Sequence, residues 1–279
     1  MRKINASLIK KVVAELCQTA NFKLRTDVKE SLYKIYKKEK GLAKYAVSLI
    51  LENLKIAKKE KIAICQDTGM TVIFLKIGQD AIIKGDLGSA IQNGVKEGYK
   101  KGCLRASVVD DPIFKRKNTF TNTPAVIHEE IVKGNKIEIT VFPKGFGSEN
   151  TSSLKMFKPA DSLEDIEDFL IEKVKNFGPN ACPPLIVGIG IGGTSEKCML
   201  LAKEALLRKI GSMNKNPDFA RMEKRILSKI NLLNIGPSGL GGKTTALAVN
   251  IEEFPTHIAG LPVAINISCW ALRQAKAVI

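Results

Sequence analysis

The sequence predicts an α+β (mixed α/β) fold, with a helical N-terminal layer packed on a mixed-sheet domain. Three observations predict it. Residues 4–21, 27–40 and 42–59 carry apolar side chains at helical spacing. Residues 71–77, 185–191 and 262–268 are short apolar runs of strand length, the first of them rich in β-branched residues. Helices and strands are also mixed without the regular alternation that a doubly wound parallel sheet shows.

Taken in order, Leu8, Val12 and Leu16 mark one face of the first helix, and Val47, Ile50, Leu51 and Leu54 mark that of the third. After the strand at 71–77, residues 85–101 read as a helix ending near Gly102. Residues 125–132 and 136–142, split by Lys133-Gly134-Asn135, give a hairpin signal. A helix over 161–177 has Asp161 or Ser162 as its cap and is stopped by Gly178-Pro179. A buried strand at 185–191 is followed by helices at 194–210 and 217–233, then by strands at 245–252 and 262–268 and a short tail. No repeat, low-complexity tract or linker interrupts this order. Residues 1–279 are therefore expected to form a single domain, with 1–60 as its mostly helical layer.

An apolar content of 44% suffices for a packed core. No apolar run approaches the roughly 20 residues of a membrane span, and the basic start leads into an amphipathic pattern, so a cytoplasmic protein is expected. The formal net charge is +16, and residues 1–61 alone hold fourteen lysines and two arginines against six acids. Nucleic-acid binding would call for arginine and interleaved aromatics, yet aromatics make up only 6% of the chain. Lysines on solvated helix faces explain the excess, so neither a nucleic-acid nor a membrane partner is expected.

Six cysteines at irregular spacing suit a reducing compartment, as thiols or metal ligands. Cys65, Cys182 and Cys269 sit among polar, glycine and proline neighbours in loop-like sequence, unlike cysteines that pack as small hydrophobes. Their wide separation excludes a locally templated zinc finger, so only a finished fold could gather them. Three thiolates also leave one iron of a four-iron cluster open to substrate. Cys17 and Cys198 lie on amphipathic helices and read as core residues, while Cys103, beside Gly102, is a rival ligand.

Two glycine motifs need weighing. Gly188-Ile189-Gly190-Ile191-Gly192-Gly193 follows a strand and precedes a helix, as a dinucleotide fingerprint does, but a second helical segment follows where a strand ending in an acidic residue would be required. An anion-receptive helix N-terminus is the preferred reading. Gly236–Thr245 is glycine-rich around Lys243, but it is out of register for a phosphate loop, because Pro237 stands where the first glycine belongs. It reads as a backbone wall that puts Lys243 near an anionic ligand.

Seven segments carry a family resemblance: Cys65-Gln66-Asp67-Thr68-Gly69, Arg105-Ala106-Ser107-Val108-Val109, Asn122-Thr123-Pro124-Ala125-Val126-Ile127-His128, Gly147-Ser148-Glu149-Asn150, Gly178-Pro179-Asn180-Ala181-Cys182-Pro183-Pro184, Gly190-Ile191-Gly192-Gly193-Thr194 and Thr256-His257-Ile258-Ala259-Gly260-Leu261-Pro262-Val263. Together they resemble the α-subunit, or N-terminal half, of the class I iron-sulfur fumarate hydratases and L(+)-tartrate dehydratases. The resemblance spans nearly the whole chain.

It implies that Cys65, Cys182 and Cys269 hold a 4Fe-4S cluster, making the mixed-sheet domain an iron-sulfur-binding one. It also implies that Gln66 and Arg105 contact the dicarboxylate, and that Asp67, with His257 beside it, handles the proton on the hydroxyl. Gly147 and Lys243 complete the expected substrate contacts, and His128 steadies the hairpin or reaches the site. The implied activity is a hydro-lyase of the tricarboxylic acid cycle, converting fumarate to (S)-malate. L(+)-tartrate dehydration to oxaloacetate is the alternative, and a non-catalytic metal or iron-sulfur protein with a basic partner-binding face is an alternative of another class. Single-chain members carry a second domain with further substrate residues, so a separate β-subunit in an α2β2 heteromer is expected.

Overall fold

The structure is a computed structural model and describes residues 2–279. A four-residue strand, β1 (Arg2–Asn5), leads into helix α1 (Ala6–Phe22), whose N-cap Asn5 accepts the backbone N–H of Ser7. Helices α2 (Thr26–Lys38) and α3 (Gly41–Glu60) follow, then strands β2 (Met70–Gly78) and β3 (Ala81–Lys84) and helix α4 (Leu87–Lys101), capped by Asp86. Strands β4 (Val126–Val132) and β5 (Ile137–Lys144), the single turn α5 (Phe146–Glu149) and strand β6 (Ser153–Phe157) come next. Helix α6 (Leu163–Phe177) starts at a Ser162–Asp165 capping box, which decides between the two caps the sequence offered. The chain then runs through a 3-10 turn (Gly178–Ala181), β7 (Leu185–Gly192), α7 (Ser195–Ala205), α8 (Pro217–Leu232), a second 3-10 turn (Pro237–Gly239), β8 (Ala246–Phe254), β9 (Leu261–Ser268) and β10 (Ala275–Val278).

Two compact units share these elements. The first comprises Met1–Arg25, Asn53–Phe146 and Arg273–Ile279; the second comprises Thr26–Glu52 and Gly147–Leu272.

In the first unit a four-stranded sheet has the order β10-β5-β2-β4, and β1 and β3 form a separate parallel pair. The expected hairpin does not form: β4 and β5 flank β2 on opposite sides, β4 parallel and β5 antiparallel to it. The turn between them crosses the end of β2, where Gly78, Gln79 and Asp80 donate to the carbonyls of Lys136, Val132 and Gly134. The tail adds an edge strand, with Ile279 and Ile137 exchanging backbone hydrogen bonds at 2.9 Å. On α1 the buried stripe is Ile9, Val13, Leu16, Cys17 and Ala20, while Leu8 is 43% exposed, so the helix is turned about one position from the expected face. It meets α4 closely, for a Cβ on Gly94 or Gly98 would stand 2.7 Å from the carbonyl oxygens of Lys10 and Ala14.

The second unit holds a sheet of order β6-β9-β7-β8, in which β7 runs parallel to β8 and antiparallel to β9. Leu170 and Val174 of α6 and Ile226 and Ile230 of α8 bury against Leu185, Val187, Ile189, Ile251 and Ile265 of the sheet. Helix α7 lies directly on β7, because Cβ atoms at Gly188 and Gly190 would fall 2.1 Å from the carbonyls of Ala202 and Cys198. The first two fingerprint glycines thus serve helix-on-strand contact.

Candidate active site

The Cys65–Gly69 loop of the first unit is held by long-range hydrogen bonds. The Thr68 hydroxyl donates to the Arg105 carbonyl at 2.8 Å, and the buried Tyr99 hydroxyl sits 2.8 and 3.1 Å from the carbonyls of Thr68 and Gly69. Asn122 donates to the Gly69 carbonyl at 3.0 Å and accepts from the Ser107 N–H at 2.9 Å. At Gly69 φ is +77°, and a Cβ there would lie 2.7 Å from the Pro143 backbone, so this turn requires glycine. The cysteine loop and the Arg105–Asn122 segment are thereby locked together, with Gln66 and Arg105 exposed and Cys65 half-buried.

Asp67 is oriented at both oxygens. Its Oδ1 accepts the Gly69 N–H at 2.9 Å and its Oδ2 accepts the Phe146 N–H at 2.8 Å. Beside it lies Arg273, which the sequence reading did not single out. Only 2% exposed, it donates through Nη1 to the Asp67 carbonyl and to Asn21 Oδ1, and its Nε has no hydrogen-bond partner among the described residues. A Cβ on Gly145 would meet Arg273 Nη2 at 3.0 Å and Asp67 Oδ2 at 3.1 Å, so Gly145 leaves room for both groups. No local signal marks it in the sequence, because its partners at residues 21 and 67 lie more than 200 positions away.

In the second unit, Cys182 follows the 3-10 turn in the left-handed conformation, with φ +54°, and is exposed. The Trp270 N–H donates to the Cys182 carbonyl at 3.4 Å, tying the Cys182 and Cys269 loops together. The sheet explains why they meet. Ile186 near the start of β7 is paired with Ser268 at the end of antiparallel β9, and Leu185 is paired with Ala246 at the start of parallel β8. Cys182, Cys269 and the Gly236–Thr245 loop therefore share one end of the sheet. The Ser238 N–H donates to the Pro183 carbonyl at 2.8 Å, and the buried Glu39 carboxylate accepts the Lys243 N–H at 3.1 Å, leaving the Lys243 side chain exposed. Gly147 stands by the same turn, the Asn180 carbonyl being 4.0 Å from where its Cβ would be.

His257 lies at the other end. Its loop joins the end of β8 to the start of β9 and is pinned there by the Thr256 hydroxyl, which donates to the Gly193 carbonyl at 3.0 Å. The eight residues of β9 lie between this loop and Cys269, a strand about 26 Å long at ~3.3 Å per residue. His257 Nδ1 accepts the Ala259 N–H at 3.2 Å, which leaves the ring proton on Nε2. His128, on β4, stacks at 5.2 Å on Phe74 of β2.

The remaining cysteines differ chemically. Burial pushes the Cys17 thiol up to about 12 and the Cys198 thiol up to about 11, and Cys198 also donates to the Gly190 carbonyl at 3.1 Å. Both are neutral core residues at neutral pH, in line with their helical sequence context. Cys103 is exposed just beyond α4. No group of three or more His, Cys, Asp or Glu among the described residues is arranged to hold a single metal ion.

Comparison with known proteins covers nearly all of this chain. The model of the fumarate hydratase (Fumerase) family matches residues 10–278. A Methanocaldococcus jannaschii protein provisionally named L(+)-tartrate dehydratase subunit alpha is 45% identical over 276 residues, 96% of each chain. The L(+)-tartrate dehydratase subunit alpha of Escherichia coli (strain K12) is 31% identical over 271 residues, covering 96% of this chain and 89% of that protein. With its pinned acidic-and-cysteine loop and its paired cysteine loops, the chain belongs to the fumarate hydratase (Fumerase) family of hydro-lyases.

Proposed function

We propose that this chain is the cluster-binding α-subunit of a class I fumarate hydratase, which adds water reversibly to fumarate to give (S)-malate. The observation that carries this reading is the fixed pose of Asp67 two residues from Cys65, in a loop locked to Arg105. The donor set fits a cluster: Cys65, Cys182 and Cys269 are loop thiols outside the apolar core, and an iron-sulfur cluster spreads its ligands over several irons rather than needing a one-ion cage. When bound, such a cluster supplies an open iron as a Lewis acid without redox change.

The chain's own groups bind and orient the substrate and move the proton. Arg105 offers a planar fork to one carboxylate, and Gln66 supplies an amide beside it. Lys243 and the Gly147 backbone add a cation and a close, side-chain-free approach. Asp67, both of whose oxygens are held by backbone N–H groups, gives or takes the proton on the departing or entering hydroxyl. His257, expected beside Asp67, assists this proton transfer.

The relatives are named alpha subunits, which supports a separate β-subunit in an α2β2 assembly that completes the site. Their names also favour a second reading, L(+)-tartrate dehydration. Anaerobic assay of the assembled enzyme on fumarate, (S)-malate and L(+)-tartrate decides between the two by kcat/KM. In that assay Asp67→Asn lowers kcat by about 10²–10⁴ with the cluster absorbance unchanged. Full turnover by this variant would remove Asp67 from the chemistry.

A further inference from the structure

Residues 106–121 form a stapled protrusion of the first unit that begins at the proposed substrate-binding Arg105. Its stem is closed by Thr119 N–H to the Val108 carbonyl and Asp110 N–H to the Lys117 carbonyl, both at 2.9 Å, and by Asn118 Nδ2 to the Ala106 carbonyl at 2.9 Å. At the tip, the Asp111 carboxylate accepts the backbone N–H groups of Ile113, Phe114 and Lys115 at 2.9, 2.9 and 3.0 Å. The tip is therefore built to hold one shape, yet it exposes Ile113 by 71% and Phe114 by 87%, and Phe120 at the base of the stem is 78% exposed. Large apolar side chains held out on an ordered loop have the makeup of interface anchors, since ordering them beforehand removes an entropic cost of association. Lys115, Arg116 and Lys117 follow directly, adding a basic cluster to the apolar tip.

We propose that this protrusion is the docking element for the β-subunit, inserting Ile113 and Phe114 into an apolar pocket rimmed by acidic side chains. The inference rests on the functional reading above for the existence of that partner, and it deepens it by naming the surface. Continuity selects the occupant: the protrusion shares its backbone with Arg105 and is locked through Asn122 and Thr68 to the Asp67 loop. A subunit seated on it lies beside the groups whose site it is required to complete. The basic run sets the sign of the partner's rim.

The test is co-expression of this chain with its β-subunit, purification through a tag on this chain, and measurement of subunit stoichiometry and affinity. The double variant Ile113→Asp/Phe114→Asp weakens association at least about thirty-fold, as expected for loss of an aromatic anchor and its neighbour. Its thermal midpoint stays at the wild-type value because both side chains lie outside the core. The triple variant Lys115→Glu/Arg116→Glu/Lys117→Glu slows association and reverses its salt dependence, so that added salt speeds association. Ile131→Asp, at a residue 78% exposed on β4, is the control and leaves assembly intact. Wild-type stoichiometry and affinity in the double variant overturn the proposal. So does a double variant that dissociates a homodimer of this chain while the β-subunit stays bound. A wild-type complex that assembles but hydrates no dicarboxylate defeats the functional reading and leaves the docking surface standing.

Discussion

Asp67 carries three separate hydrogen-bond relations: its two carboxylate oxygens accept the backbone N–H groups of Gly69 and Phe146, and its carbonyl accepts a hydrogen bond from the buried Arg273. Such a carboxylate is held in one orientation, which suits the proton-handling role proposed for it. The cysteines divide just as sharply. Loop neighbours distinguished Cys65, Cys182 and Cys269 in the sequence, and helical context assigned Cys17 and Cys198 to the core, because polarity and periodicity are local properties. Arg273 was not legible, since it acts through carbonyls contributed by residues 21 and 67. Iodoacetamide treatment of the native chain at pH 8, read by mass spectrometry, is expected to leave Cys17 and Cys198 unlabelled, as burial holds their thiols at about 12 and about 11. The exposed Cys103 and Cys182 are labelled first in the cluster-free chain.

At the scale of elements, β7 and α7 show how one sequence motif can serve geometry. Gly188 and Gly190 face the α7 backbone so closely that any side chain would displace a carbonyl rather than a flexible group. Gly190→Ala is therefore expected to cost on the order of 3 kcal/mol, the upper range for overpacking, seen as a lowered midpoint in urea or thermal unfolding. A wild-type midpoint would show that α7 can move off the strand. The long helices and apolar strands were legible because their periods repeat over many residues. The hairpin was misread for a related reason: the strand pattern of 126–132 and 137–144 is real, but the insertion of β2 between them is decided by residues some fifty positions earlier. Strands β1, β3, β6 and β10 are only four or five residues long and gave no periodic signal.

For the molecule as a whole, both compact units are assembled from separated stretches of chain, and a strand from the tail completes the first sheet. A single substitution tests the proposed role of His257. In the enzyme assembled with the β-subunit, His257→Ala is expected to lower kcat by about 10²–10⁴ with subunit association and cluster absorbance unchanged. Full turnover by this variant would take His257 out of the reaction. By itself the sequence determined the family, the loop setting of Cys65, Cys182 and Cys269, and the main helices and strands, since all of these are written in local composition and ordered motifs. Only the tertiary structure decided that Cys182, Cys269 and Lys243 share one end of a sheet while His257 occupies the other. That outcome depends on the direction and register in which β7, β8 and β9 pair, which are set by hydrogen bonds between residues as far as eighty positions apart.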